Sequence, residues 1–349
     1  MSTQLRQSTA PGGDIALDNI LDVSLRDGGY LNQWRFSDAE IGAALRYLET
    51  NGVRRAEVGF LRRPEDATTL VNGCPADFLH RLAGAHPAMR LVGMLNPAEP
   101  HWRQAIDGKL KYLSLLRLTC TADLVEQALM MAESIRGMPG APEVSVNLIS
   151  ISSYTRDEVA DLVSQVGHSR AVDVLYFADS RGALAPGEVA PLVDLAKRHC
   201  RQAIGFHAHD TRGNAVENSR IAFEHGCELI DVSLNGFGLA GGNTPFAGLL
   251  AATGLADAAI EARTRTFCER SLSLRHAAGD DRALYSALAA KNVDPIWSDA
   301  LQERWQSRLP SLLERLPRRT YRALDDVFDA LAELAASVST NASRYRKCA

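Results

Sequence analysis

Between residues 20 and 253 the chain alternates between two hydrophobic patterns. Short, nearly continuous apolar runs rich in Val, Leu and Ile are separated by longer stretches with apolar residues every three or four positions. The first pattern predicts strands buried on both faces, the second helices with one buried face. The expected strands are Ile20–Leu25, Val53–Phe60, Arg90–Leu95, Leu110–Leu118, Glu143–Ile149, Val172–Ala178, a run from Ala203 ending in His207-Ala208-His209, and Leu229–Leu234. Between them, Ser37 is an expected N-cap for a helix to Thr50, which Asn51-Gly52 stops. Further helices are expected at Ala76–Ala85, after Asn96-Pro97, at Thr121–Arg136, from Thr155 or Arg156, at Pro186–His199, Asn214–His225 and Thr244–Thr253.

Eight such strand–helix units in about 235 residues predict a (β/α)8 barrel. An open doubly wound sheet is the runner-up, but the glycine-rich phosphate turn it needs is missing after the first strand. From about Glu261 the pattern becomes helical only, with Pro295, Pro310 and Pro317 as punctuation and an amphipathic stretch at Leu324–Leu334. The expected division is a disordered tail at 1–17, a barrel at 18–260 and a helical extension at 261–349 packed on or beside it.

Composition narrows the class without naming a chemistry. Hydrophobic residues make up 46% and charged residues 23% of the 349, as in an ordinary globular protein. A net charge of −4 with interspersed signs gives no field for nucleic acid. The six cysteines are scattered, which fits reduced thiols in the cytoplasm. No signal peptide and no run near the ~20 residues needed to span a bilayer is present, so a cytoplasmic location and no membrane partner are expected.

In a barrel of this kind the chemistry gathers at the C-terminal ends of the strands. The polar residues there include Arg26, Asp27, Asn96, Thr119, Ser150, Asp179, His207, His209 and Asn235. Residues two apart in a strand point the same way, so His207 and His209 can aim both imidazoles at one point. With the carboxylate of Asp27, and the Asn243 amide as a fourth donor, they form a mixed O/N set. Such a set suits a labile divalent ion, Mn2+ first, with Co2+, Mg2+ or Zn2+ as alternatives. Glu57 and Arg117 stand inside apolar strands and must be paired to be tolerated there. A polar network beneath the site is the expected outcome, with Asn147 as a further member.

These stretches resemble a known family, the DRE-TIM metallolyases, and within it the 4-hydroxy-2-oxovalerate aldolase branch. The resemblance runs from about Ile20 to Ala252 and rests on LRDGG at 25–29, AEVGF at 56–60, LRLTCTADLVEQ at 116–127, ADSRGAL at 178–184, FHAHDTRGNAVENS at 206–219 and DVSLNGFGLAGGNTP at 231–245. It implies metal ligation by Asp27, His207 and His209 with support from Asn243, and an enolate-stabilising Arg26. Glu57, Arg117 and Asp179 are then expected to contribute to substrate binding. The branch's acid/base histidine falls on Tyr30, a departure, since a phenol donates a proton readily and is a poor base at neutral pH. A tyrosine from the C-terminal helices falls on Tyr285. The implied activity is a metal-dependent class II aldolase acting on a small 2-oxo acid and an aldehyde, in a homo-oligomer that could pair with an aldehyde dehydrogenase. Claisen-type acyl-CoA condensing enzymes, of the isopropylmalate or homocitrate synthase kind, and hydroxymethylglutaryl-CoA lyases fit less well. The loop at 236–243 lacks the Glu-Arg pair of the first and the cysteine of the second. A barrel that has lost catalysis and serves as a scaffold is the remaining alternative.

Overall fold

The computed structural model describes residues 16–257, 259–276 and 279–345, so the tail expected at 1–17 lies almost wholly outside the described residues. Eight parallel strands close into a barrel in sequence order, β1 pairing with both β2 and β8. They are β1 (Ile20–Asp22), β2 (Arg55–Phe60), β3 (Arg90–Leu95), β4 (Leu115–Cys120), β5 (Glu143–Leu148), β6 (Val174–Asp179), β7 (Ala203–Ala208) and β8 (Leu229–Val232). The main barrel helices are α1 (Asp38–Thr50), α2 (Ala76–Ala85), α3 (Trp102–Ile106), α4 (Val125–Arg136), α5 (Arg156–His168), α6 (Pro186–His199), α7 (Ala215–Glu224) and α8 (Phe246–Ala252).

Local chemistry explains these boundaries. Ser37 Oγ accepts from Glu40 N while Glu40 accepts from Ser37 N, a capping box that starts α1. Ile41, Ala44, Leu45 and Leu48, spaced three and four apart, face the core, and Gly52 at φ +82° ends the run. Thr155 and Glu158 repeat the box at α5. Gly59 has φ +148°, and a Cβ there would lie 1.8 Å from Val71 O. The register of β2 against β3 shifts between Glu57 and Gly59, so this glycine permits an irregularity that only a residue without a side chain can occupy.

The fourth strand differs from the expectation. Leu110–Tyr112 is a 3-10 turn, and the strand begins at Leu115. A leucine-rich stretch such as LKYLSLLRL cannot by itself say where the chain stops turning and becomes extended. β1 is likewise three residues, Ile20–Asp22, because the chain turns immediately before the Arg-Asp-Gly motif. Met130 is exposed on α4 while Met131 is buried, so only the second packs as a core residue. Cys120 is buried, as a small hydrophobe should be.

Beyond α8 the chain is helical: α9 (Ile260–Ser271), α10 (Gly279–Ala290), α11 (Ser298–Trp305), α12 (Leu309–Arg315) and α13 (Leu324–Tyr345). Leu288, Leu301, Leu312, Tyr321 and Leu331 form a small core of their own. Arg181, from the loop after β6, fastens this region to the barrel by donating to Asn292 O (2.7 Å) and Tyr321 O (2.9 Å). No helix among the described residues is long and apolar enough to cross a membrane.

Candidate metal centre

Inside the barrel, side chains two apart on one strand climb the same wall. Leu115, Arg117 and Thr119 form one such ladder, Val174, Tyr176 and Ala178 another, and Leu229 and Asp231 a third. The lowest rungs, with Leu21, Val23 and Val92, form an apolar plug. Thr119 and Ala178, the highest, line a cavity of about 510 Å³ at the C-terminal ends of the strands.

Between plug and cavity lies a buried network of charge. Arg26 Nε donates to Glu57 Oε2 at 2.7 Å, and its Nη1 to Asp27 Oδ2 at 2.7 Å. Arg117 Nη1 reaches the same Glu57 oxygen at 3.2 Å, and its Nη2 donates to Asp231 Oδ2 at 2.6 Å. With its amide oxygen turned to Arg117, Asn147 accepts from Nε (2.9 Å) and Nη2 (2.7 Å) and donates to Ser145 Oγ (2.7 Å). The Tyr176 ring lies 4.2 Å from the Arg117 guanidinium carbon, a cation–π contact. Glu57 and Arg117 are therefore paired as buried charges must be, and Asn147 belongs to the network. Glu57 does not line the cavity; it holds Arg26 and Arg117, which do.

Asp27 Oδ2 lies 3.6 Å from His207 Nε2 and 3.9 Å from His209 Nε2. One potential ligand atom from each residue falls within 4.8 Å of the others, and all three residues are buried. Each imidazole is oriented through its other nitrogen: His207 Nδ1 faces Asp231 Oδ2 at 2.9 Å, and His209 Nδ1 faces Leu239 O at 3.2 Å. Both partners only accept, so each Nδ1 carries a proton, and each Nε2 is the nitrogen turned toward Asp27. Burial pulls the His209 pKa down to about 4, against the pull of Asp27, and keeps that ring neutral. Burial alone would raise the Asp27 carboxyl, but Arg26, His209 and His207 hold it well below the usual range. An ionised Asp27 and a neutral His209 are the forms in which these side chains bind a divalent cation.

Two further observations fit a metal. Asn243 Oδ1 is buried without a hydrogen-bond partner, while its Nδ2 donates to Phe237 O at 3.0 Å. A Cβ on Gly238 would lie 2.3 Å from Asn243 Nδ2 and 3.1 Å from Asp27 Oδ1. The glycine leaves the space that amide and carboxylate share, and the orphan oxygen is a donor for a fourth position.

The other expected residues are placed unevenly. Tyr30 lines the cavity and is 42% exposed at its rim. Burial of its hydroxyl raises the pKa, with Arg26 and Arg62 opposing. Asn96, Thr119 and Ser150 also line the cavity. Asp179 is taken up by its own loop: its carboxylate accepts from Ala183 N (3.0 Å) and Leu184 N (2.9 Å), and burial lifts its pKa to about 6. It shapes the loop after β6 rather than lining the cavity. Tyr285 lies on α10 among Asp281, Asp299 and Ser298 and does not line it either. Asn235 turns toward His276, at 3.3 Å. Sequence reasoning missed Asp231, although a carboxylate inside the apolar strand LIDV is the signal that exposed Glu57. It also missed Arg62, Glu99 and Asp294, which line the cavity from loops no strand pattern marks.

A family model described as HMGL-like matches residues 116–271. The 4-hydroxy-2-oxovalerate aldolase of Desulfitobacterium hafniense is 25% identical over 234 residues, covering 65% of this chain and 68% of that protein. The oxaloacetate decarboxylase of Mycobacterium tuberculosis is 25% identical over 235 residues, covering 67% and 69%. A solved structure, the N-terminal domain of a candidate aldolase from Bacteroides vulgatus, superposes with a TM-score of 0.69 at 21% identity, covering 84% of this chain and 99% of that one. At that identity the likeness speaks to the fold.

Proposed function

We propose that this chain, a barrel of the HMGL-like metallolyase superfamily, is a divalent-metal-dependent class II aldolase that joins or splits a 2-oxo acid and an aldehyde. The observation that carries this reading is the buried Asp27–His207–His209 set at the floor of a cavity that Arg26 also lines. A divalent ion, Mn2+ foremost, held by these residues with Asn243 in support would act as a Lewis acid on the 2-oxo group. The barrel at 18–260 would supply this chemistry, and the helices at 261–349 one wall of the cavity, through Asp294 and Ile296.

The chain's own residues have separate tasks. Arg26 spends one N–H on Glu57 and one on Asp27, which fixes the guanidinium and leaves its other N–H groups for substrate oxygen. Its charge, permanent at any working pH, offsets the negative charge that develops as the enolate forms. Arg117, held by Glu57 and Asp231, extends this positive wall. In cleavage the bond between C3 and C4 breaks, its electron pair passes into the enolate, and the C4 hydroxyl gives its proton to a solvent water as the aldehyde forms. Tyr30, kept protonated by its raised pKa, is the donor that returns a proton to the enolate carbon.

A second reading has one specific observation in its favour. Tyr30 is not a base at neutral pH, and loss of CO2 from a 2-oxo diacid gives the same enolate with no hydroxyl proton to remove. The similarity to a decarboxylase is as high as that to the aldolases. The deciding experiment incubates the Mn2+-loaded chain with pyruvate and an aldehyde panel, and in parallel with oxaloacetate, each with and without EDTA. Metal-dependent condensation that Asp27→Ala abolishes supports the aldolase. Pyruvate release from oxaloacetate with no condensation selects the decarboxylase.

A further inference from the structure

Three arginines reach the cavity, and they are not equivalent. Arg26 is committed to Asp27 and Glu57, and Arg117 to Glu57 and Asp231. Arg62, two residues beyond the end of β2, forms no ion pair among the described residues. Its Nε is shielded from water and has no hydrogen-bond partner. The two loop acids that line the cavity, Glu99 and Asp294, do not serve it. Glu99 Oε1 accepts from His101 N at 3.2 Å, while Asp294 Oδ1 accepts from Ile296 N at 3.2 Å and its Oδ2 lies 3.7 Å from Arg181 Nε.

Nor is Arg62 a loose surface chain. Its N–H donates to Gly73 O at 3.3 Å, and its carbonyl accepts from Lys109 Nζ at 2.6 Å. Lys109, itself buried, clamps the loop by donating to Gly73 O at 2.9 Å as well. The Arg62 guanidinium carbon lies 5.4 Å from the Phe60 ring centroid, and that of Arg26 lies 6.0 Å from the same centroid. Phe60 thus contacts both a cation paired with Asp27 and Glu57 and a cation with no ion pair among the described residues. Arg62 also borders a surface depression with Pro64, Thr68 and Lys109, so it is on the outer side of the cavity. With its backbone clamped and its guanidinium against the Phe60 ring, Arg62 has a restricted reach, and its planar fork suits a carboxylate or phosphate.

We propose that Arg62 binds an oxyanion at the far end of the aldehyde, so that the preferred acceptors are short aldehydes ending in a carboxylate or a phosphate. This rests on the aldolase reading. The 2-oxo acid's own carboxylate is accounted for at the floor of the cavity, beside Arg26 and the ligand set. What is left for Arg62 is charge on the other reactant.

The test compares three acceptors with pyruvate and the Mn2+-loaded full chain: succinic semialdehyde, glyceraldehyde 3-phosphate and butanal. At least one anionic aldehyde should exceed butanal in kcat/KM by about 10- to 100-fold, and the two anionic arms tell carboxylate from phosphate. Arg62→Gln should bring that ratio close to unity, and Arg62→Lys should restore part of it; thermal melts confirm that both variants are folded. Exchange of pyruvate methyl protons in D2O, read by NMR without any aldehyde, reports on enolate formation alone. No exchange would overturn the aldolase reading and this proposal with it. Exchange without a preference for anionic acceptors would overturn the role of Arg62 only. So would an Arg62→Gln variant whose KM for pyruvate rises equally with every aldehyde, since Arg62 would then hold the oxo acid's own carboxylate.

Discussion

At the closed end of the barrel Leu21, Leu115, Val174 and Leu229 pack against one another. Two positions further along the same strands stand Arg117, Tyr176 and Asp231, in a network with Glu57, Arg26 and His207. Both layers are equally dry: Val174, Leu229, Arg117 and Asp231 are all 2% exposed or less. They differ in what burial does for them. An apolar side chain gains roughly 1.5–3 kcal/mol from leaving water. A buried ion pair does little better than break even against an apolar replacement. The plug therefore holds the barrel together, and the polar layer spends stability to fix the orientation of groups above it.

The largest contrast should come from the ligand carboxylate. Asp27→Asn should reduce metal-dependent turnover to background while the melting profile still reports a folded barrel; a steady-state assay and a calorimetric scan check both. Next in size, Arg117→Met leaves buried Glu57 with Arg26 alone and buried Asp231 with His207 alone, and should cost about 3–5 kcal/mol in urea unfolding. In the plug, Leu229→Ala should cost roughly 2–5 kcal/mol and leave Mn2+ affinity as it was. A drop in metal affinity there would blur the division between layers.

Asp22 offers a test through pH. Burial raises its pKa to about 7, against hydrogen bonds from Ser24, while in the unfolded chain the carboxyl titrates near 3.8. Below that value both states are protonated and no penalty exists. As pH rises from about 4 to about 7 the unfolded state ionises first, so stability falls, and above pH 7 the loss is constant. Asp22→Asn should therefore gain on the native chain by a few kcal/mol across that window, read as the difference between two denaturation series. Smallest is Asp231→Asn, which weakens the acceptor that orients His207 and should lower Mn2+ affinity about 10- to 100-fold.

The barrel was legible because alternating runs of buried-strand and amphipathic-helix pattern leave few other folds. The ligands were legible because His207-Ala208-His209 ends a strand and Asp27 follows one. Three features were not. The start of β4 was hidden because Leu110, Tyr112 and Leu113 continue the strand's apolar character upstream of Leu115. Asp179 looked like a strand-end substrate contact, yet two backbone N–H groups of its own loop claim it, a competition that strand spacing does not reveal. Arg62 owes its position to Lys109 and Gly73, contacts between loops far apart in sequence.

The central claim is that Asp27, His207 and His209 together hold one divalent ion. An Mn2+ titration of the EDTA-stripped chain, followed by electron paramagnetic resonance, tests it without any assumption about substrate. The account predicts a single site that saturates at one equivalent and vanishes in Asp27→Asn, His207→Ala and His209→Ala. Undiminished binding in those variants, or no stoichiometric binding by the native chain, would contradict it.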